Sequence, residues 1–225
     1  MAIGSIDLLL ERASPEARSL LWIVTLASES VHQAMLQGVW SGQTPEQEQA
    51  GKLKNLLELY DRLPAEARTD LPEISAEMRT WLESTPDAPP VPPVEPLLVE
   101  LCDAGLLGRD TDDSYSFHEL VRERTEAWMQ HHPEESRNRV AEAVWRAYGE
   151  RYQALFDKLR QSGKVGAQDA AAEAGRRGLN YLVRARAFEA LGSFASKLVT
   201  ETRDPAWLTG VIAELEAIVS RFAQI

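Results

Sequence analysis

Residues 97–107 read LLVELCDAGLL and residues 115–123 read YSFHELVRE, and together these two segments decide the fold. Leucines at helical spacing in the first segment are followed by Gly105, a residue that commonly ends helices. The second segment opens with the alternation typical of a strand, and residues 110–114 before it are turn formers. The pattern predicts a short helix, a β-hairpin and then a further helix over 118–130.

The residues before this stretch predict four more helices. Ser14, Pro15 and Glu16 form a helix start, because a hydroxyl cap precedes a proline and an acid in the first turn. Ser30 is the expected cap of the next helix. The predicted ranges are 15–27, 31–40, 44–63 and 64–84, with an interruption at Pro72 in the last.

A proline-rich segment separates these helices from the deciding stretch. Residues 85–96 read TPDAPPVPPVEP, and this density of proline favours a stiff spacer over a helix or a central strand. Beyond residue 133 the pattern is helical again, with glycines between segments of 15 to 25 residues, which predicts antiparallel hairpins. The predicted helices are 135–161, 167–187, 187–201 and 205–223.

Composition excludes several classes of protein. Hydrophobic residues make up 44% and charged residues 26% of the 225 residues, the balance of a folded chain. The longest uncharged apolar run, residues 19–28, is about half the length that crosses a bilayer. Cys102 is the only cysteine, so no internal disulfide can form. We expect a cytoplasmic protein without a membrane segment.

The charge is unevenly distributed along the chain. Residues 1–135 carry 10 Lys and Arg against 25 Asp and Glu, whereas residues 136–225 carry 14 against 10. The two parts therefore have net charges of −15 and +4. This asymmetry favours two modules with different neighbours, although solvated helix faces would explain it equally well.

The two quoted segments resemble the winged-helix module of STAND-class signal-transduction ATPases, which have an NB-ARC-like nucleotide switch. Residues 14–40 are similar to the first two helices of that module, so residues 42–93 are interpreted as a helical insertion. Residues 170–198 resemble the tetratricopeptide-like arm that often follows. The resemblance implies a mainly α fold with a winged-helix domain over 1–133 and a helical-hairpin domain over 134–225.

By this resemblance His118 corresponds to a histidine that contacts the ADP phosphate in the resting state of several family members. A neutral imidazole near a helix N-terminus can donate a hydrogen bond to phosphate, and the terminus itself favours anions. The alternative is a histidine that caps its helix or bonds a neighbouring carbonyl. The chain contains no phosphate-binding loop, because Val165 follows Lys164 where a Mg²⁺-binding hydroxyl is required. No cofactor is expected in this chain itself.

Two groups of residues are candidates for partner binding. Trp145, Tyr148 and Tyr152 share one helical face, which could line a peptide groove or, as the favoured interpretation, join the two halves. Arg176, Arg177 and Arg184, with Arg186 nearby, could bind an acidic partner or phosphate, but surface arginines are usually solvated or paired.

Catalysis is not expected from the sequence. His131 and His132 adjoin two glutamates, but adjacent histidines at a helix end point in different directions, so neither a metal site nor an acid–base pair is predicted. Cys102 fits a buried small hydrophobe better than a nucleophile. A DNA-binding winged helix is disfavoured because residues 94–105 contain three acids and no Lys or Arg.

The sequence therefore predicts a non-catalytic regulatory, protein-interaction fragment of a STAND-type signalling protein. Its expected partners are the nucleotide-binding or other domains of a parent chain, or a separate protein. The alternative is a free-standing helical scaffold for protein partners.

Overall fold

The computed structural model describes residues 3–27, 29–62, 75–86, 92–136, 140–164, 166–201 and 205–222. This part of the chain is mainly helical and holds one small antiparallel sheet, as predicted. The helices are α1 (Ile3–Arg12), α2 (Pro15–Thr25), α3 (Gln33–Ser41), α4 (Pro45–Arg62), α5 (Ala76–Ser84), α6 (Glu95–Asp103), α7 (Glu119–His131), α8 (Ala141–Ser162), α9 (Ala167–Arg184), α10 (Phe188–Glu201) and α11 (Pro205–Phe222). The strands are β1 (Val31–His32), β2 (Gly108–Arg109) and β3 (Ser114–Ser116), and a 3-10 turn covers Pro133–Ser136.

The sheet joins residues that are far apart in the sequence. β2 and β3 form the predicted hairpin, in which Arg109 lies opposite Tyr115. The other edge of β3 pairs with β1, so that Val31 also lies opposite Tyr115 and the strand order is β1-β3-β2. The prediction of a helix over 31–40 was wrong at its start. Val31 and His32 are strand residues, and the His32 side chain, not that of Ser30, caps α3.

Helix α2 is the centre of the first part of the molecule. Its predicted Ser14 cap is confirmed, because the Ser14 side chain accepts a hydrogen bond from the Ala17 N–H. Leu20, Leu21 and Ile23 are completely buried, on more than one face of the helix. Helices α3, α6 and α7 all pack against α2. Because neighbouring helices surround α2, apolar residues are needed on most of its faces, and this explains the apolar run over residues 20–24.

Polar contacts fix the helices around α2. The Glu100 carboxylate of α6 accepts hydrogen bonds from the Ser14 backbone N–H at 2.6 Å and from its hydroxyl at 2.9 Å. Arg124 of α7 binds Asp7 of α1 through two hydrogen bonds of 2.7 and 2.6 Å. This bidentate pair positions α1, a helix that the sequence analysis did not predict.

Helices α8 and α9 form a closely packed antiparallel hairpin, because residue 149 lies against residue 182 and residue 152 against residue 178. Glycines permit the close approach: a Cβ at Gly149 would lie 2.7 Å from the Leu182 side chain, and one at Gly178 would lie 2.8 Å from Phe194. Helix α10 packs on the same hairpin through Phe194 and Leu198, which are both fully buried.

One hydrophobic cluster extends from Ile6 to Leu198 and includes residues of both predicted domains. The boundary at 133/134 stays a prediction of domain organisation. Helices α4 and α5 contribute no described residue to this cluster; Ala50 and Leu82, their only buried residues in the described part, lie outside it. They lie in the predicted insertion, which is attached by Arg151 of α8.

Three predicted element boundaries changed, and a fourth lies outside the described residues. α5 begins after Ser75, whose side chain caps it, whereas the predicted helix start at Pro64 and the interruption at Pro72 lie in residues 63–74, outside the described part. Glu95 and Pro96, which were predicted to lie in the spacer, form the first turn of α6. Proline has no backbone N–H, but in the first turn of a helix that N–H would have no partner within the helix. α8 begins at Ala141 and not at residue 135. α9 ends at Arg184, three residues before its predicted end.

We predict that Gly38→Ala destabilises the fold. A Cβ at this position would lie 2.0 Å from the guanidinium of Arg151, which is held by Glu48 at 2.7 Å and by the Gln43 carbonyl at 2.8 Å. The guanidinium must move and lose these contacts, at about 1–3 kcal/mol. Urea denaturation measures the change. Gly51→Ala is the control, because open space surrounds Gly51 in α4 and alanine should stabilise that helix; equal effects of the two substitutions would contradict the prediction.

We predict that Arg186→Gly stabilises the protein. Arg186 has a φ of 53°, in the left-handed region, and occupies the position after α9 where glycine is usual. The Ala187 N–H bonds to the Leu182 carbonyl at 3.0 Å, which closes this turn. Relief of the strain, less the entropy cost of glycine, should add about 0.5–1 kcal/mol. Thermal unfolding gives the sign, and a lower Tm would contradict it.

Candidate functional site

The C-terminal end of α2 is the point where the helical arm meets the sheet-containing part. The last carbonyls of a helix have no partner within the helix and must find donors elsewhere. Here the Tyr148 hydroxyl donates to the Ile23 carbonyl, the Trp145 Nε1–H donates to the Leu26 carbonyl and Arg122 donates to the Ala27 carbonyl. Each of these hydrogen bonds is 3.1 Å long. Side chains of α7 and α8 therefore complete a helix that precedes them by about 100 residues.

The carboxylate of Glu29 extends this contact toward α9. It accepts hydrogen bonds from the hydroxyls of Tyr152 at 2.8 Å and Tyr181 at 3.0 Å. Arg177 lies 3.8 Å from the same carboxylate oxygen and donates to the Tyr152 hydroxyl at 3.4 Å. We call Glu29, Trp145, Tyr148, Tyr152, Arg177 and Tyr181 the joint.

The three tyrosine rings of the joint are stacked. The ring centroids of Tyr148 and Tyr181 are 5.0 Å apart, and those of Tyr152 and Tyr181 are 5.7 Å apart with nearly parallel planes. Burial raises the pKa of Tyr152 to about 12 and the pKa of Tyr148 well above its ordinary value. Both hydroxyls consequently stay protonated at neutral pH, and each can act as a permanent donor to the α2 end or to Glu29.

Arg177 remains a cation within the joint. Burial by itself would lower the pKa of Arg177, but hydrogen bonds to Tyr152 and to Glu173 outweigh it and raise that pKa. The hydrogen bond from Arg177 lowers the pKa of Glu173, although the partial burial of Glu173 acts in the opposite direction. The charges of Glu29 and Glu173 thus face a fixed positive charge.

Among the predicted aromatic candidates, the geometry is that of a connection between the halves. Tyr148 is completely buried and presents no surface to a partner, and Tyr152 is buried by its stack on Tyr181. Trp145 is only half-buried, so one part of its ring faces outward. Partner binding by these residues stays a prediction, and it would require the joint to open at Tyr148.

The three predicted arginines have different surroundings. Arg177 belongs to the joint. Arg176 is exposed and is paired with Glu173. Arg184 is exposed, and its guanidinium carbon lies 6.0 Å from the centre of the Trp145 ring. Within the described part of the chain, Arg184 is the one of these three arginines without an ion pair.

His118 is exposed and caps α7. Its Nδ1 accepts a hydrogen bond of 3.2 Å from the Leu120 backbone N–H, the arrangement that the sequence analysis held as the alternative to a phosphate contact. In the neutral imidazole this arrangement leaves Nε2 as the proton-bearing atom. His32 caps α3 with the same geometry, through a 3.2 Å bond from Ala34. A contact of His118 with nucleotide stays a prediction.

The described part of the chain contains no group of three or more His, Cys, Asp or Glu side chains that could hold a metal ion. His132 stacks on Trp128, with ring centroids 4.6 Å apart, and His131 contacts the Ala127 carbonyl. Burial raises the pKa of the Cys102 thiol, the opposite of what activates a nucleophile. An open groove of about 290 Å³ between Trp22, Met129 and Val140 carries few polar groups.

Sequence reasoning missed Glu29, Tyr181 and Arg122. Tyr181 lies between the buried residues Leu179 and Leu182, so the apolar stripe of α9 could have indicated that it faces inward. Glu29 and Arg122 gave no such signal, because a carboxylate in a loop and an arginine on a helix are usually solvated.

Comparison with known proteins identifies no relative. No family model matches the chain, and neither a curated protein nor a solved structure matches it. None of the described helices is long and apolar enough to cross a membrane.

We predict that Glu29→Gln weakens the fold through the joint. The amide can still accept from one tyrosine, but it removes the charge that faces Arg177 and the charge-assisted hydrogen bonds from the hydroxyls, at about 1–3 kcal/mol. Urea denaturation of the full chain gives the change in free energy of unfolding. Glu123→Gln, on the exposed face of α7, removes the same charge outside the joint and serves as control. If both variants lose the same stability, the joint has no special role.

Proposed function

We propose that this chain is a non-catalytic regulatory part of a cytoplasmic STAND-type signalling protein. Residues 1–133 would form its winged-helix domain, with a helical insertion over about 42–93. Residues 134–225 would form a tetratricopeptide-like arm that passes a conformational change to a sensor, an effector or another protein.

The observation that carries the proposal is the third strand. A winged-helix module runs helix, strand, helix, helix, strand, strand, and its first strand pairs with its last. Here α2, β1, α3, α6, β2 and β3 follow that order, and the sheet order is β1-β3-β2. Because the resemblance rested on the helices and the hairpin, the pairing of β1 with β3 is independent support for it.

The joint supports the coupling role. Tyr148 and Trp145 bind carbonyls at the end of α2, and Tyr152 and Tyr181 bind Glu29 just beyond it. A rotation of α2 would have to break these hydrogen bonds or carry α8 and α9 with it. A contiguous set of packed side chains and hydrogen bonds of this kind can carry energetic coupling between distant parts.

DNA binding is a poorer explanation of the same fold. The helix that would enter the major groove is α6, where Glu95 and Asp103 are acidic, Val99 is half exposed and no cation is present. In the hairpin beside it Arg109 is paired with Asp113. A helix that meets phosphates needs the opposite charge.

The first test is the reading frame of the parent gene. The proposal expects the frame to encode a phosphate-binding loop, with Gly-Lys-Ser or Gly-Lys-Thr at its end, upstream of Met1. A frame that encodes only these 225 residues would favour the free-standing scaffold instead.

The second test addresses His118 in the parent protein. We expect His118→Ala to weaken ADP binding, measured by calorimetry, because the Nε2 donor to the phosphate is lost. His32→Ala is the matched control, since it removes a histidine that caps α3 with the same 3.2 Å hydrogen bond. Equal ADP affinity of the two variants and the parent protein would remove the nucleotide role of His118.

A further inference from the structure

The turn between α9 and α10 carries an unusual concentration of positive charge. Between Glu173 and Glu189 the chain has four arginines and no acid. Arg176 forms an ion pair with Glu173, and Arg177 forms ion pairs with Glu173 and with Glu29 of the joint. The other two, Arg184 and Arg186, are exposed, and within the described part of the chain neither guanidinium meets a carboxylate.

Two aromatic side chains accompany these arginines. Arg184 lies over the half-buried ring of Trp145, whose orientation is fixed by the hydrogen bond from its Nε1–H to the Leu26 carbonyl. Phe188, two residues beyond Arg186, is 55% exposed. We call Arg184, Arg186, Trp145 and Phe188 the arginine surface.

The backbone of this surface is fixed, although it is a turn. The Arg186 N–H bonds to the Val183 carbonyl at 2.9 Å and the Ala187 N–H to the Leu182 carbonyl at 3.0 Å, which is the closed pattern of a helix C-terminus. That pattern needs a left-handed residue, and the chain has arginine at this position where glycine would be unstrained. The chain thus keeps an arginine two residues from Arg184 at a cost in stability.

We propose that the arginine surface binds an acidic peptide segment of a protein partner, which would identify the partner chemistry of the arm; this inference rests on the proposed function. Each guanidinium can bind a carboxylate through two parallel hydrogen bonds, and the Arg184 guanidinium carbon lies over the Trp145 ring at 6.0 Å from its centre. The exposed part of the Phe188 side chain can contact an apolar side chain of the same segment. The matching ligand has two nearby carboxylates and one apolar residue.

Charge complementarity selects a peptide over a nucleic acid. A nucleic-acid site gains affinity by neutralising many phosphates along a track of cations. The surface offers two arginines that meet no carboxylate in the described part of the chain, which is enough for two carboxylates of a peptide. The net charge of −11 on the chain would repel a long polyanion.

Fluorescence anisotropy on the full chain tests the proposal, with a short labelled peptide of glutamates around one leucine as the probe. We expect saturable binding that weakens as salt is added, and no binding of the same peptide with glutamine in place of glutamate. The double variant Arg184→Gln/Arg186→Gln should bind the probe about tenfold or more weakly. The control Arg12→Gln/Arg79→Gln removes the same charge from two exposed arginines on α1 and α5 and should bind like the parent chain.

Arg186→Gly separates binding from folding. We expect it to unfold at the same or a higher temperature than the parent chain while its affinity for the peptide falls. If both double variants lose affinity equally, or if a single-stranded oligonucleotide of equal charge binds more tightly than the peptide, the proposal is overturned. Failure of peptide binding leaves the reading-frame and ADP results unaffected, so the two proposals can fail separately.

Discussion

The end of α2 is the constraint on which the rest of the structure depends. A helix that is buried on nearly every side cannot leave its last carbonyls to water, and the N–H groups of Leu26 and Ala27 reach only those of Trp22 and Val24. The hydroxyl of Tyr148, the indole of Trp145 and the guanidinium of Arg122 supply the missing donors. Helix α8 therefore has to lie across this end, and α9 follows because it packs along α8.

The same requirement explains why polar atoms are found inside the joint. Burial of tyrosine hydroxyls is costly unless each has an acceptor, and here each has one, at a main-chain carbonyl or at Glu29. Replacing the set by apolar residues would leave the helix end unsatisfied. A polar network of this kind specifies one arrangement of the two halves, which is what the proposed coupling role requires.

Arg151 has a similar role for the insertion. Its guanidinium lies against Gly38, binds Glu48 of α4 and reaches the Gln43 carbonyl, so one buried cation attaches the insertion to α3 and α8. Elsewhere α4 and α5 keep exposed apolar residues such as Leu56 and Leu59. In the described part of the chain, α4 and α5 have only one buried residue each, in contrast to the closely packed hairpin of α8 and α9.

Local sequence was sufficient to predict most of the helices, the β2–β3 hairpin and the Ser14 cap, because periodicity, prolines and capping residues act over a few residues. The candidate residues Trp145, Tyr148 and Tyr152 were also found from their spacing, and their role as a connection was the favoured interpretation. Tertiary structure decided the rest. Val31 forms a strand because it pairs with Tyr115, which is more than 80 residues away in the sequence. Glu29 is the centre of the joint because the hydroxyls of Tyr152 in α8 and Tyr181 in α9 donate hydrogen bonds to it. Such pairings depend on which distant surfaces meet, and no local pattern contains that information.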